Sequence, residues 1–325
     1  MRSNAPPKKL LDVLRKKENR RYLVLSHIHL EGDALGSELA MARLLRRLGK
    51  KAVVVNEDEP VPEYLFLPDI RRVRHSLLPL DYDVAVFVDC SDVSRVGKAA
   101  KILKENKPII NIDHHISNTR FGDINWVQPK ASCACEMVYE LFKALGVSIT
   151  KQDAILLYTG IMVDTGSFKY ASTSAETHRV AADLLSHGLD VYGVHRQVHE
   201  SLDLETIKAF GQIIATLKTD RKGKVAWLSI PHVLIRKIPA LAQETDHVLS
   251  FARSIKGVEV ALLFKETQPG KEVRVNLRSR GQADVNKIAS VFGGGGHAMA
   301  SGCTLKTTLK GAIRSVVDET KERLT

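Results

Sequence analysis

The stretch NIDHHISN (111–118) sets a carboxylate and two adjacent imidazoles directly behind an apolar run. Three other stretches of the first half bring similar groups. SHIHLEGDALGS (26–37) supplies His27, Glu31 and Asp33, VFVDCSD (86–92) supplies Asp89, and GIMVDTGSF (160–168) supplies Asp164 beside a glycine turn. Each has an ordinary reading alone: DHH as surface turn, Asp89 as a helix cap, Asp33 as stabiliser of a helix N-terminus, Asp164 as the cap of a chain reversal. The conjunction calls for metal, because carboxylates gathered in one crevice repel and raise each other's pKa unless cations are present. The donors are carboxylate and imidazole without thiolate, a set that suits Mn²⁺, with Mg²⁺, Co²⁺ or Zn²⁺ as competitors. They outnumber what one ion can use. Two ions about 3.5–4 Å apart, bridged by a carboxylate and a water, would clamp an in-line displacement at phosphorus.

The second half carries a different signal. FGGGGHAMASG (292–302) is followed by no Lys-Ser or Lys-Thr, so it is not a P-loop, and it is no dinucleotide fingerprint. Read bare, it is a flexible loop; read functionally, its amides are open to a ligand and His297 stands ready to donate a hydrogen bond. NLRSR (276–280) puts Arg278 and Arg280 on one side of a strand, either as exposed charge or as phosphate ligands.

These groups need a scaffold, and the hydrophobic pattern supplies one. YLVLSH (22–27), KAVVVN (51–56), DVAVFVD (83–89) and KPIINID (107–113) are short apolar runs, as parallel strands covered on both faces should be. Helical spacing follows over 34–48, 132–145, 151–162 and 174–187. This alternation predicts an α/β fold with a doubly wound parallel sheet, in which ligands bind outside the carboxyl ends of the strands. From about residue 220 the texture changes to strands at 224–230, 258–266 and 272–280, a turn at 267–270, and helices at 284–292 and 308–323: a smaller α+β domain. The predicted division is 1–189 catalytic, 190–219 a helical connector, and 220–325 substrate-binding.

At 325 residues the chain has room for two cores. No apolar run approaches a membrane span, and the first residues lack the apolar core of a secretion signal. Four cysteines without finger or framework spacing fit a reducing cytoplasm. A formal charge of +11 favours an anionic partner, with the cations concentrated among residues 8–21 and 43–51. Aromatics make up only 6%, which argues against a long single-strand stacking platform.

The ordered set HIHLEGDALGS, VDCSD, DHH and VDTGSF resembles the DHH phosphoesterase superfamily, and RVNLRS with GGGGHAMASG resembles its DHHA1 subfamily, especially the bacterial oligoribonucleases (nanoRNases) and pAp phosphatases. The resemblance implies hydrolysis of short oligoribonucleotides to mononucleotides, or of 3′-phosphoadenosine 5′-phosphate (pAp) to AMP, with two Mn²⁺ ions. It places His27, Glu31, Asp89 and Asp164 around one ion, and Asp33, Asp89, His114 and Asp164 around the other. His115 would face the scissile phosphate, with Asp113 orienting the neighbouring imidazole. Arg278, Arg280, Gly294, Gly295, Gly296 and His297 would grip the non-scissile end. The family usually has Pro-Asp where this chain has Leu30-Glu31; the added methylene leaves direct coordination by Glu31 open. Competing readings are a phosphodiesterase for cyclic or linear dinucleotides and a non-catalytic nucleic-acid-binding regulatory module. A pyrophosphatase is disfavoured by the glycine-histidine motif, and a long-strand exonuclease of the RecJ type by length. Oligomeric state stays open, a homodimer included.

Overall fold

A computed structural model describes residues 5–200, 203–220, 222–238, 241 and 246–324. The chain divides into two compact units, Met1–Ser201 and Leu202–Thr325.

The first unit runs α1 (Lys8–Arg15), β1 (Arg21–Leu25), α2 (Gly32–Arg47), β2 (Lys51–Val54), β3 (Val84–Val88), β4 (Ile109–Asp113), β5 (Ile124–Val127), α3 (Ala134–Leu145), α4 (Lys151–Asp164), α5 (Ala175–Ser186) and α6 (Val191–His199). The strands form one sheet in the order β2-β1-β3-β4-β5, and every pairing is parallel. Alternation along each strand divides the apolar side chains between two cores. Tyr22, Val24, Val84, Val86 and Val88 join the core that includes α2, α3 and α4. Leu23, Leu25, Ala85 and Phe87 face the other side, covered by the 3₁₀ segment Val93–Ile102 through Val96, Ala99 and Ile102. The sheet is thus buried on both faces, which is why its strands read as nearly continuous apolar runs. Strand order reverses direction between β1 and β3, so the crevice at their carboxyl ends is the place where this topology leaves room for a ligand.

The second unit runs α7 (Leu204–Ile214), β6 (Lys218–Thr219), β7 (Val225–Ile230), α8 (His232–Lys237), α9 (Asp246–Ser254), β8 (Val260–Gln268), β9 (Glu272–Ser279), α10 (Val285–Val291), β10 (Gly295–His297), β11 (Ala300–Leu305) and α11 (Leu309–Glu322). Its sheet order is β10-β11-β9-β8-β7-β6. β7 and β8 pair in parallel; the other neighbours are antiparallel. Val273, Val275 and Leu277 of β9 pack with α10 and α11 on one face. On the other, Ala261 and Leu263 of β8 pack with α7 and α9, while β9 and β11 contribute nothing to that core. The predicted connector at 190–219 contains two helices, α6 and α7, and the boundary between the units falls between them.

Candidate metal centre

Each donor sits where a strand or helix ends. β1 delivers His27, β3 delivers Asp89, β4 delivers Asp113, His114 and His115, α2 opens with Glu31 and Asp33, and α4 closes with Asp164. Asp89 takes a left-handed backbone conformation (φ 51°), in which Asp is tolerated better than most residues. That turn ends β3 and keeps the carboxylate in the crevice, where only 2% of the residue is exposed.

Three groups of donor atoms lie within 4.8 Å of one another: His27, Glu31 and Asp89; Asp33, His114 and Asp164; and Asp89, His114 and His115. His27 Nδ1 lies 2.7 Å from the Ile28 carbonyl and Nε2 lies 3.2 Å from Asp89 Oδ2. Pinning Nδ1 on a carbonyl leaves Nε2 aimed at the crevice, the arrangement metal-binding histidines commonly show. His114 Nε2 stands 3.5 Å from Asp89 Oδ1 and 3.3 Å from Asp164 Oδ2. Asp89 Oδ1 itself is buried and accepts no hydrogen bond from the described residues. A buried carboxylate oxygen left so is expensive unless a cation completes it. The residues present therefore fit divalent metal, and the third group makes His115 a donor within reach as well.

Glu31 and Asp33 each serve a helix besides. Glu31 Oε1 accepts from the Asp33 and Ala34 amides and caps its own helix, α2. Asp33, in the first turn of α2, turns its carboxylate to another helix. Its Oδ2 and Oδ1 accept from the Ala134 and Cys135 amides at 2.7 and 2.8 Å, at the N-terminus of α3. Cys133 and Cys135 are more than packing residues for the same reason: Cys133 Sγ caps α3, and the Cys135 amide holds Asp33.

Protonation follows the crowding. Burial, then the charges of Asp33 and Glu31, push Asp164 up to about 9. Burial, Asp89 and Asp33 lift Glu31 to about 7. Burial and Asp89 also raise Asp33. Burial opposes protonation of His27 and His114, but contacts with Asp89 outweigh it and raise them to about 9 and about 10. Asp89 moves the other way: despite burial, His114 and His27 hold it well below the usual carboxylate range. Without metal, protons offset part of the crowded negative charge.

The two asparagines that bracket NIDHHISN close a polar network under the imidazoles, which sequence reasoning missed. Asn118 Nδ2 donates to Asp113 Oδ2 at 2.5 Å and to Asn111 Oδ1 at 2.8 Å, and Asn111 Nδ2 donates to the Cys90 carbonyl. Asp113, fully buried, has its other oxygen 2.7 Å from His115 Nδ1. His29 lies apart: it is exposed and turned toward Asp58.

In the second unit the glycine run is not a loop. Gly295–His297 pairs as β10 with β11. A Cβ on Gly294 would lie 2.2 Å from the Gly302 carbonyl oxygen, and one on Gly296 would lie 2.6 Å from that of Ala300. Both glycines are needed so that the backbones can approach. A Cβ on Gly295 would meet only the Asn286 side-chain oxygen, at 3.7 Å, and one on Gly293 would meet nothing within 4 Å. Register puts His297 opposite Ala300, and Ala300 opposite Arg278, so His297 and Arg278 occupy one row across three strands. Arg278 and residues 293–296 line a groove of about 700 Å³. Arg280 is set apart from the predicted set. It lies past the end of β9, its guanidinium donates to the Arg253 carbonyl at 2.6 Å, and it does not line the groove.

Residues 21–161 match the DHH family, N-terminal domain, and residues 232–325 match the DHHA1 domain. The chain is also 32% identical over 321 residues to the bifunctional oligoribonuclease and PAP phosphatase NrnA of Thermus thermophilus, covering 97% of this chain and 93% of that protein. The chain belongs to the DHH–DHHA1 family. The protein of the same description from Bacillus subtilis is 28% identical, covering 86% of this chain and 87% of that one. Among solved structures, an exopolyphosphatase-related protein from Bacteroides fragilis has the same fold, with TM-score 0.89 at 23% identity over 97% of this chain and 95% of that one. An exonuclease RecJ structure bound to manganese superposes with TM-score 0.51 at 15% identity, covering 99% of this chain and 97% of the other. A RecJ structure from Thermus thermophilus superposes with TM-score 0.52 at 15% identity, covering 96% of this chain but only 53% of that one.

Proposed function

We propose that the protein is a metal-dependent phosphoesterase that releases mononucleotides from short oligoribonucleotides and converts pAp to AMP. The observation that carries this reading is the complete set of six carboxylate and imidazole donors at one sheet end, in a chain similar over nearly its full length to proteins named for both activities. His27, Glu31 and Asp89 would hold one ion, and Asp33, His114 and Asp164 the other, with Asp89 and Asp164 shared. Glu31 has one oxygen committed to capping α2 and would coordinate through the other. Mn²⁺ suits this donor set, and a cytoplasmic location suits the substrates. When bound, two ions polarise the phosphoryl oxygens and make water a stronger nucleophile.

The chain's own part is positioning and proton control. Asp113 fixes His115 through Nδ1 and leaves Nε2 free to donate toward charge that develops on the phosphoryl group. In the second unit, Arg278, His297 and the glycine backbone at 294–296 would hold the nucleotide that is not cut, and binding energy gained there can assist the reaction elsewhere. A product time course under Mn²⁺ and under Mg²⁺ tests the reading, using end-labelled di- to pentanucleotides, a 24-mer and pAp. Mononucleotides should appear from the short substrates and AMP from pAp. Faster degradation of the 24-mer would sink it.

A further inference from the structure

The groove beside the glycine strand extends past Arg278, and its far half has no role in the reading above. Arg274, Asn276 and Arg278 alternate along β9 and all line it. Opposite them on β11 stand Thr304, Gly302 and Ala300 respectively, so the floor beside Asn276 and Arg278 carries almost no side chain. Arg274 is exposed and makes no hydrogen bond or ion pair with any described residue. Asn276 has a buried side-chain oxygen without a hydrogen-bond partner. One strand repeat beyond Arg274, on the same face, comes Glu272, whose Oε1 accepts from Thr267 Oγ1 at 2.7 Å and is held at the end of the groove.

We propose that this face of β9 measures substrate length: Arg274 contacts a phosphate further along the oligonucleotide than the one at Arg278, and Glu272 turns away the next. Arg274 and Arg278 stand about 13 Å apart along an extended strand, four residues at roughly 3.3 Å each. A stacked strand rises about 3.4 Å per nucleotide along its axis and an extended one advances about twice that, so this distance spans about two nucleotides of an extended chain. The two guanidinium groups therefore suit separate phosphates of one short chain. A free guanidinium makes strong charge-assisted bonds to phosphate, whereas a fixed carboxylate at the end of the track repels it. The inference rests on the proposed oligonucleotide substrate and adds to it a basis for preferring one length.

The test compares wild type, Arg274→Gln and Glu272→Gln on pAp and on oligoadenylates of two to seven nucleotides with Mn²⁺. It also measures equilibrium binding of labelled triadenylate and hexa-adenylate to the metal-free full chain. Arg274→Gln should lower kcat/KM on tri- and tetranucleotides about tenfold more than on pAp, the loss expected for one charge-assisted contact. Glu272→Gln should raise hexanucleotide binding several-fold relative to trinucleotide. Equal losses at all lengths in Arg274→Gln, or an unchanged length profile in both variants, overturns the proposal. If the wild type hydrolyses none of these substrates, the proposed function fails instead. Binding still decides the groove: triadenylate affinity unaffected by Arg274→Gln then rules the second contact out.

Discussion

At the scale of single residues, the centre combines groups that could hold metal with groups that support their neighbours, and the two kinds should separate on mutation. His115→Ala should lower turnover by about 10²–10³-fold, as expected for loss of a donor to developing charge. Metal affinity should stay within a few-fold, and calorimetric metal titration of the variant is the check. A loss comparable to that of His27→Ala would make His115 a ligand of the ion held by Asp89 and His114. Asn118→Ala should give a milder defect of about 10–100-fold, because it removes support from Asp113 rather than a donor. Protons provide a second handle. At pH 7 the metal-free protein keeps protons on His27, His114 and Asp164, whose pKa values lie at about 9, 10 and 9. Coordination requires these groups without protons, so binding expels them, and lowering the pH works against binding. Apparent affinity for Mn²⁺ should rise steeply from pH 6 to 9. Titrations in buffers of different ionisation enthalpy should reveal proton release, and a pH-independent affinity would mean that these groups are not ligands.

At the scale of elements, the centre depends on close approach of three helices. Gly160 on α4 lies against Cys135 and Asp33: a Cβ there would stand 2.3 Å from Cys135 Sγ and 2.7 Å from Asp33 Oδ1. Gly160→Ala should destabilise the fold by about 1–3 kcal/mol and weaken metal binding by displacing Asp33. Adding Cys135→Ala should restore part of both, as read by denaturant unfolding and metal titration. No sequence signal marks Gly160, because its need arises only once α2, α3 and α4 are packed. The same division runs through the whole structure. β1, β3 and β4 were legible because burial on both faces forces an apolar run. The carboxylates and imidazoles at their ends stood out only as a set, because each has an ordinary reading alone. β11 escaped: ASGCTL has no apolar alternation, and pairing with β9 and β10, not propensity, makes it a strand. β5, INWV, escaped as well. Charge was misleading in part. Arg43 and Arg47 do not face an anionic partner, since both pair with the buried Asp153, and Arg43 and Arg46 pair with Asp69. Composition registers a cation but not the carboxylate folded against it.

At the scale of the whole molecule, the two units have separate apolar cores, and among the described residues every candidate metal donor belongs to the first. Mn²⁺ at about a thousand times its Kd should stabilise that unit by about 4 kcal/mol, with no such term for the second. Hydrogen exchange resolved by segment can check this: protection should rise in β1, β3, β4 and α4 and stay level in β8 and β9. Among the described residues no helix is long and apolar enough to cross a membrane. The confinement of the donors to residues 27–164, inside the unit that ends at Ser201, has a consequence for synthesis. Residues 202–325 are made after that unit, over roughly ten seconds at ordinary elongation rates. During that interval the first unit can fold outside the ribosome and take up metal. The nascent chain would then carry a loaded centre before the strand that reads its substrate exists, and loading would depend on the metal available at the polysome.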